Sequence, residues 1–238
     1  KYERKYWLEG IEHIAGIDES GRGPLAGPVI ASAVILPHNV NLPQVNDSKK
    51  LSPNKRNYLY NEIIKTALSV GIAVIHEKEI DKINILQATY KAMQLAVEKL
   101  HVKPGLLLVD GFKADISGYK QKSIVKGDSK SLSIAAASII SKVFRDKIMI
   151  NYDKIFPEYG FSIHKGYGTK KHIELIKSNF ATPIHRKSFK PVFNYLPTIQ
   201  YYKNMDLIDT LTNQLIACKY VRDGYDILDI DDELYDIN

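Results

Sequence analysis

The sequence predicts an α/β layered fold around a mixed sheet flanked by helices, with a helical C-terminal extension. Three observations carry this. Short apolar runs bounded by glycine, proline and polar clusters read as strands: HIAGID (13–18), VIASAVIL (29–36), VGIAVIH (70–76) and LLLVD (106–110). Longer stretches with apolar residues at steps of three and four alternate with them and read as helices. No repeat period or low-complexity run interrupts the pattern.

The elements follow in order. GRGPLAGP joins the first two strands and supplies turn residues. A polar loop occupies 37–50. Ser52 before Pro53 reads as an N-cap with proline at the first helical position, opening a helix to about Leu68. Ile83, Leu86, Tyr90, Met93, Val97 and Leu100 mark one face of a long helix, which Pro104-Gly105 ends. LLLVD is continuously apolar, as in a strand buried on both faces. SIVKGD (123–128) reads as a strand or extended loop. A long helix runs from Ser129 to about Ile155, apolar nearly all round in its first half and hence buried. Residues 172–180 form a short helix with Thr169 as its cap. Pro183, Pro191 and Pro197 punctuate an irregular segment, and 205–220 reads as a last amphipathic helix. The expected division is a main domain over 1–195 and an extension with an acidic tail over 196–238.

The chain has 238 residues, 45% hydrophobic and 25% charged, which excludes global disorder and a fibrous protein. Its longest mostly apolar stretch, 25–36, contains Gly27, Pro28 and Ser32 and falls short of the roughly 18–20 residues of a membrane helix. The first residues show no apolar signal-peptide core, so no export and no membrane partner are expected. One cysteine, Cys218, excludes a disulfide framework and a cysteine-based zinc site, and fits a reducing, cytoplasmic setting. The net charge is +6, unevenly spread: 221–238 hold one base and seven acids, leaving a strongly basic body. Such a body suits a polyanion, most simply nucleic acid, over the duller reading of a solvated lysine-rich surface.

Four acids stand where an apolar run stops: Asp18 and Glu19 after HIAGI, Asp110 after LLLV, Asp128 after SIVKG. Singly, each has a plain explanation as a strand end, a turn dipeptide or a helix cap. As a set they would select hard cations, Mg²⁺ or Mn²⁺, because only carboxylate oxygens are offered. Two such ions about 3.5–4 Å apart suit phosphodiester hydrolysis. Gly21, Arg22 and Gly23 follow directly; exposed N–H groups in such a turn can cradle a phosphate or a sugar hydroxyl. NDSKKL (46–51), HKGYGTKKH (164–172) and HRKSFK (185–190) mix basic residues with hydroxyls, and two add an aromatic ring. His164, His172 and His185 have no metal-site spacing and read as surface or hydrogen-bonding residues.

Together these segments resemble bacterial type 2 ribonuclease H, ribonuclease HII. The matching stretches are GIDESGRGPLAGPV (16–29), NDSKKLS (46–52), LLVDG (107–111), IVKGDSKSLSIAAASIISKVFRDKIM (124–149), HKGYGTKKH (164–172) and HRKSF (185–189), in family order over about residues 14–192. The resemblance implies a ribonuclease H-like fold. It implies endonucleolytic cleavage of RNA paired to DNA, including a single ribonucleotide within duplex DNA, leaving 5′-phosphate and 3′-hydroxyl ends, with a role in ribonucleotide removal and replication. It carries the catalytic and metal-binding quartet onto Asp18, Glu19, Asp110 and Asp128, the first three holding Mg²⁺ or Mn²⁺ in the free enzyme and the fourth completing the site with substrate. It carries ribose sensing onto Gly21, Arg22, Gly23 and Tyr167, and a phosphate contact onto Lys49 or Lys50. Arg145-Asp146 resembles a family motif too, although mid-helix it reads equally as structural. Ser20 departs from the alanine common after the Asp-Glu pair; a small residue fits the same turn. The implied partners are RNA–DNA hybrid and ribonucleotide-containing duplex, bound by a monomer. Gln214-Leu215 hints at a sliding-clamp contact, but NQLIACKY lacks the aromatic pair and a packed helix is the favoured reading. The rivals are a non-catalytic hybrid-binding module, against which the intact quartet argues, and another nuclease of the same superfold, against which the glycine loop and HKGYGT argue.

Overall fold

The computed structural model describes residues 2–46, 48, 51–111, 114, 116–227. In chain order these form α1 (Tyr2–Leu8), β1 (Ile14–Ser20), β2 (Val29–Ile35), α2 (Pro53–Thr66), β3 (Ser69–Ile75), α3 (Glu77–Glu98), β4 (Leu106–Asp110), β5 (Gln121–Ile124), α4 (Leu132–Ile155), α5 (Phe161–His164), α6 (Lys170–Asn179), α7 (Ile199–Asn204) and α8 (Ile208–Arg222). The strands form a five-stranded sheet in the order β3-β2-β1-β4-β5. β1, β2 and β3 pair antiparallel, while β4 runs parallel to both β1 and β5. None of the described helices is long and apolar enough to cross a membrane.

The chain divides into two compact units. The first comprises the described residues of Lys1–Arg22, Pro28–Ile75 and Lys82–Arg145, and holds the whole sheet. The register shows how it is layered. Gly16, Val34 and Val70 share one face; Ile17, Ala33 and Gly71 share the other. A Cβ on Gly16 would collide with the Ser133–Ile134 backbone, so glycine lets α4 lie directly on the first face. α2 packs there too, through Leu59 and Ile63 against Ala136, Ile140 and Val143. A Cβ on Gly71 would strike the Ala96 carbonyl, which sets α3 on the opposite face. Burial on both faces explains why β2 and β4 read as unbroken apolar runs.

The second unit comprises Gly23–Gly27, His76–Asp81 and the described residues from Asp146 onward. Its core gathers Met149, Tyr152, Phe156, Phe161, Ile176, Ile184 and Val192, with Cys218 and Val221 from α8. Arg222 Nη2 meets the buried Glu77 carboxylate at 3.3 Å and ties the end of α8 to the same core.

Several expectations hold closely. Ser52 caps α2, its hydroxyl accepting from Lys55 N at 3.4 Å, and Thr169 caps α6 by accepting from His172 N at 3.2 Å. Others need correction. The helix expected from Ile83 starts at Glu77 and breaks at Asn84, whose φ is 67° and whose Oδ1 accepts from Leu86 N and Gln87 N. Its buried face is mostly small: Ala88, Ala92 and Ala96 lie inside with Met93 and Val97, whereas Leu86 is exposed. Gly71 brings β3 directly against the helix backbone at Ala96. The long helix from Ser129 begins at Leu132, after a 3₁₀ turn over Gly127–Ser129. The helix expected over 205–220 is α8, which starts at Ile208 and runs to Arg222; an additional short helix, α7, precedes it and is separated from it at Asp206, where φ is 54°. α8 buries only Cys218 and Val221 and leaves Leu215, Ile216 and Tyr220 exposed.

Candidate active site

In the first unit, the parallel pairing of β1 with β4 puts Ile17 opposite Val109. Asp18 and Asp110 therefore follow at the carboxyl ends of neighbouring strands, on the face covered by α4. That is the end of an α/β sheet where ligand sites usually form. Asp110 Oδ1 accepts the Gly127 N–H at 2.6 Å. A Cβ on Gly127 would lie 2.6 Å from Ile134 Cδ1 and 3.1 Å from that same carboxylate oxygen, so only glycine permits this approach. Asp110 thus anchors the turn that carries Asp128.

Asp18 is 6% exposed. Burial pushes its carboxyl well above the usual carboxylate range, and the charges of Glu19 and Asp110 push further in the same direction. Hydrogen bonds from Ser138 and from the Glu19 N–H, at 2.7 Å, pull the other way. The Ser138 hydroxyl also meets that of the buried Ser48 at 2.8 Å. Ser32, opposite Asp18 on β2, donates to Ala137 O at 2.6 Å and fixes α4 at this height. Burial also raises the carboxyl of Glu19, against the pull of Arg22, whose Nη1 stands 3.3 Å from Glu19 Oε1.

The donor set suits a hard cation: carboxylate oxygens only, partly removed from water, and repelling one another. Among the described residues, no group of three or more His, Cys, Asp or Glu side chains is already arranged around one ion position. The fit therefore lies in charge and donor chemistry.

Gly21 has φ +98°, and a Cβ there would meet the Arg145 side chain and lie 2.6 Å from Pro28 O. Arg145 is fully buried, and its Nε donates to Pro28 O at 3.0 Å. This arginine packs under the glycine loop, so its place is structural. Arg22 is exposed.

In the second unit, Gly23 lies beside the Tyr167 ring; a Cβ would sit 3.8 Å from Cε1. The Tyr167 side chain is 43% exposed. Its turn is bound to the end of the glycine loop by Leu25 N donating to Gly166 O at 2.8 Å. Arg186, fully buried, donates through Nε and Nη2 to Gly27 O at 3.0 and 2.8 Å. His172 and His185 are buried as well, at 0% and 1% exposure, which corrects the surface reading in favour of hydrogen bonding. Lys49 and Lys50 lie outside the described residues.

The four acids and Gly21 and Arg22 thus belong to the first unit, Gly23 and Tyr167 to the second. Sequence reasoning missed Ser48 and Ser138, although a serine recurring inside SLSIAAASIIS is a polar signal within an apolar helix. It also missed the buried roles of Arg186, His172 and His185.

The family model for Ribonuclease HII matches residues 15–192. Ribonuclease HII of Lactobacillus helveticus is 55% identical over 194 residues, covering 82% of this chain and 77% of that protein. Ribonuclease HII of Acetivibrio thermocellus is 56% identical over 192 residues, covering 81% and 75%. The structure of ribonuclease H2 from Pyrococcus horikoshii OT3 superposes with a TM-score of 0.65 at 26% identity, covering 76% of this chain and 96% of that one. Ribonuclease HII from Archaeoglobus fulgidus, solved as a complex with PCNA, gives 0.65 at 27% identity, covering 79% and 98%.

Proposed function

The chain belongs to the ribonuclease HII family and is a type 2 ribonuclease H, and from that premise we propose that it hydrolyses the RNA strand of RNA–DNA hybrids and nicks duplex DNA 5′ of a single embedded ribonucleotide. The observation that carries the chemistry is the meeting of the buried Asp18 with Glu19 and Asp110 at the carboxyl ends of the parallel strands β1 and β4, where burial and neighbouring charge both oppose ionisation of Asp18. Ribonucleases H depend on divalent metal. In this reading Asp18, Glu19, Asp110 and Asp128 hold Mg²⁺ or Mn²⁺. When bound, the two cations supply an activated water and stabilise the departing 3′-oxygen, which leaves 5′-phosphate and 3′-hydroxyl ends.

The chain's own residues do the rest. Ser138 gives Asp18 a hydrogen bond that favours its ionised form, against the upward push of burial. Asp110, by gripping Gly127, anchors the turn that carries Asp128. RNA differs from DNA at the 2′-hydroxyl, so selection needs donors and acceptors aimed there. Backbone groups of Gly21, Arg22 and Gly23 and the Tyr167 phenol take that role. Lys49 or Lys50 neutralises a phosphate. The catalytic domain is 1–195, in keeping with a family match that ends at 192, and 196–238 is an extension. The enzyme works as a cytoplasmic monomer in ribonucleotide removal and DNA replication. The complex of the Archaeoglobus relative with PCNA supports a clamp contact through the extension, where Leu215 is exposed beside Gln214.

The test is a duplex bearing one ribonucleotide, incubated with Mg²⁺ or Mn²⁺. A nick on the 5′ side of the ribonucleotide is expected. Cleavage of long hybrids alone would remove the single-ribonucleotide activity, and binding without cleavage would leave a hybrid-binding module.

A further inference from the structure

Around Tyr167 the second unit holds three imidazoles, two buried and one half-buried, and their proton order can be read from their partners. The Tyr167 carbonyl meets His172 Nδ1 at 2.9 Å. A carbonyl only accepts, so Nδ1 carries the proton, and Nε2 of neutral His172 must accept. Its neighbour is His185 Nε2 at 3.0 Å, which must therefore donate. His185 Nδ1 is then an acceptor, and it receives the Thr182 N–H at 2.9 Å and the Thr182 hydroxyl at 2.8 Å. Each assignment forces the next, and every nitrogen is satisfied.

A third imidazole completes the frame. His164 stacks on His172, with centroids 4.2 Å apart and planes at 18°. Its Nε2 donates to Tyr159 O at 2.8 Å, leaving Nδ1 to accept the Gly166 N–H at 3.1 Å. The Tyr167 N–H donates to His164 O at 2.9 Å. The backbone groups on both sides of Tyr167 thus end on His164 and His172. Burial holds His172 near a pKa of about 4 and His185 well below the ordinary value, so both stay neutral near pH 7. A buried chain of polar groups packs no better than apolar residues would. Its distinctive product is one fixed geometry.

We propose that His172 and His185 are positioning residues for ribonucleotide selection: their single-order chain to Thr182 fixes the Tyr167 carbonyl, and with it the pose of the exposed phenol ring. The proposal rests on the reading of Tyr167 as the group that senses the ribonucleotide. It adds that selectivity is set one and two side chains away from Tyr167.

Two substitutions separate the ends of the chain. In His172→Asn the amide nitrogen takes the place of Nδ1 and still donates to the Tyr167 carbonyl. In His172→Gln the amide takes the place of Nε2, so the His185 contact survives and the Tyr167 bond is lost. The readout is the ratio of kcat/KM on a single-ribonucleotide duplex to that on a long hybrid, measured in the full chain with melting temperature alongside. His172→Gln should lower the ratio about tenfold, the size expected of one lost buried hydrogen bond. His172→Asn should restore most of it. In a Tyr167→Ala background, His172→Gln should change the ratio no further. If His172→Gln does not fold, Thr182→Val, which removes only the outermost hydroxyl donor, should lower the ratio about two- to threefold. Equal ratios in the Asn and Gln variants, or a lower melting temperature with an unchanged ratio, would overturn the proposal while Tyr167→Ala still shifts selectivity. A Tyr167→Ala enzyme with the wild-type ratio would overturn the reading of Tyr167 itself, and this proposal with it.

Discussion

At the carboxyl end of the sheet, Asp18 is buried beside two other carboxylates, and burial and repulsion both oppose its charge. Around Tyr167, His172 and His185 are buried just as deeply, yet each nitrogen has a partner and neither ring carries charge. Both regions spend buried polar groups where apolar ones would pack. The first holds its groups in an unfavourable state that an incoming cation would relieve. The second holds them in a satisfied state that needs nothing more. Strain of the first kind marks chemistry, and satisfaction of the second kind marks shape.

The largest expected effect comes from removing the strain. Asp18→Asn keeps the side-chain shape and deletes the repelled charge. Activity should fall by at least ~10²-fold, as when a main electrostatic group is removed from an active site. The same substitution should raise the melting temperature, because the buried charge opposed folding. Asp110→Asn should lose activity as severely, but without the same gain in stability, since its carboxylate also anchors Gly127. Steady-state rates and thermal melting on the same preparations check both. A lower melting temperature for Asp18→Asn would mean that this carboxylate is satisfied in the free protein, and the contrast between the regions would collapse.

The two regions were unequally legible in the sequence. Asp18, Glu19, Asp110 and Asp128 stand out because each follows a short apolar run, and the point where such a run stops is visible in the sequence. The caps Ser52 and Thr169 were legible because capping is local. The break at Asn84 was not, because its positive φ interrupts an apolar spacing that reads as continuous. The buried face of α3 is not legible because the helix backbone at Ala96 lies directly against Gly71 on β3, and that approach is set by tertiary packing. For His172 and His185 the sequence leaves surface and hydrogen-bonding roles open, because their partners are a backbone carbonyl, a threonine and each other, thirteen positions apart. No local spacing records such a chain.

A smaller effect, of opposite sign in the two regions, should appear with pH. His172 has its pKa lowered from 6.5 to about 4 on folding. The unfolded chain therefore binds the extra proton between those values. This contribution is intact above pH 6.5 and is lost as pH falls toward 4, by up to about 3 kcal/mol at 1.36 kcal/mol per unit. Asp18 is shifted upward, so here the folded state binds the extra proton. Acid relieves that site, and the associated stability is lost as pH rises through the folded value. Melting followed from pH 7 to pH 4 should fall more steeply in Asp18→Asn than in wild type, because only the imidazole contribution is left. Parallel curves would mean that Asp18 titrates as an ordinary carboxyl.

The central claim is that the carboxyl end of the sheet is an anion cluster awaiting a cation, and one measurement addresses it without reference to turnover. Wild-type protein and Asp18→Asn are melted side par side across a Mn²⁺ titration. A ligand that binds only the folded state stabilises it by about 2.7 kcal/mol at one hundred times its dissociation constant. The account predicts a melting temperature that climbs with Mn²⁺ in the wild type and scarcely moves in Asp18→Asn. Equal rises in both proteins, or none in the wild type at Mn²⁺ concentrations that support full cleavage, would contradict it.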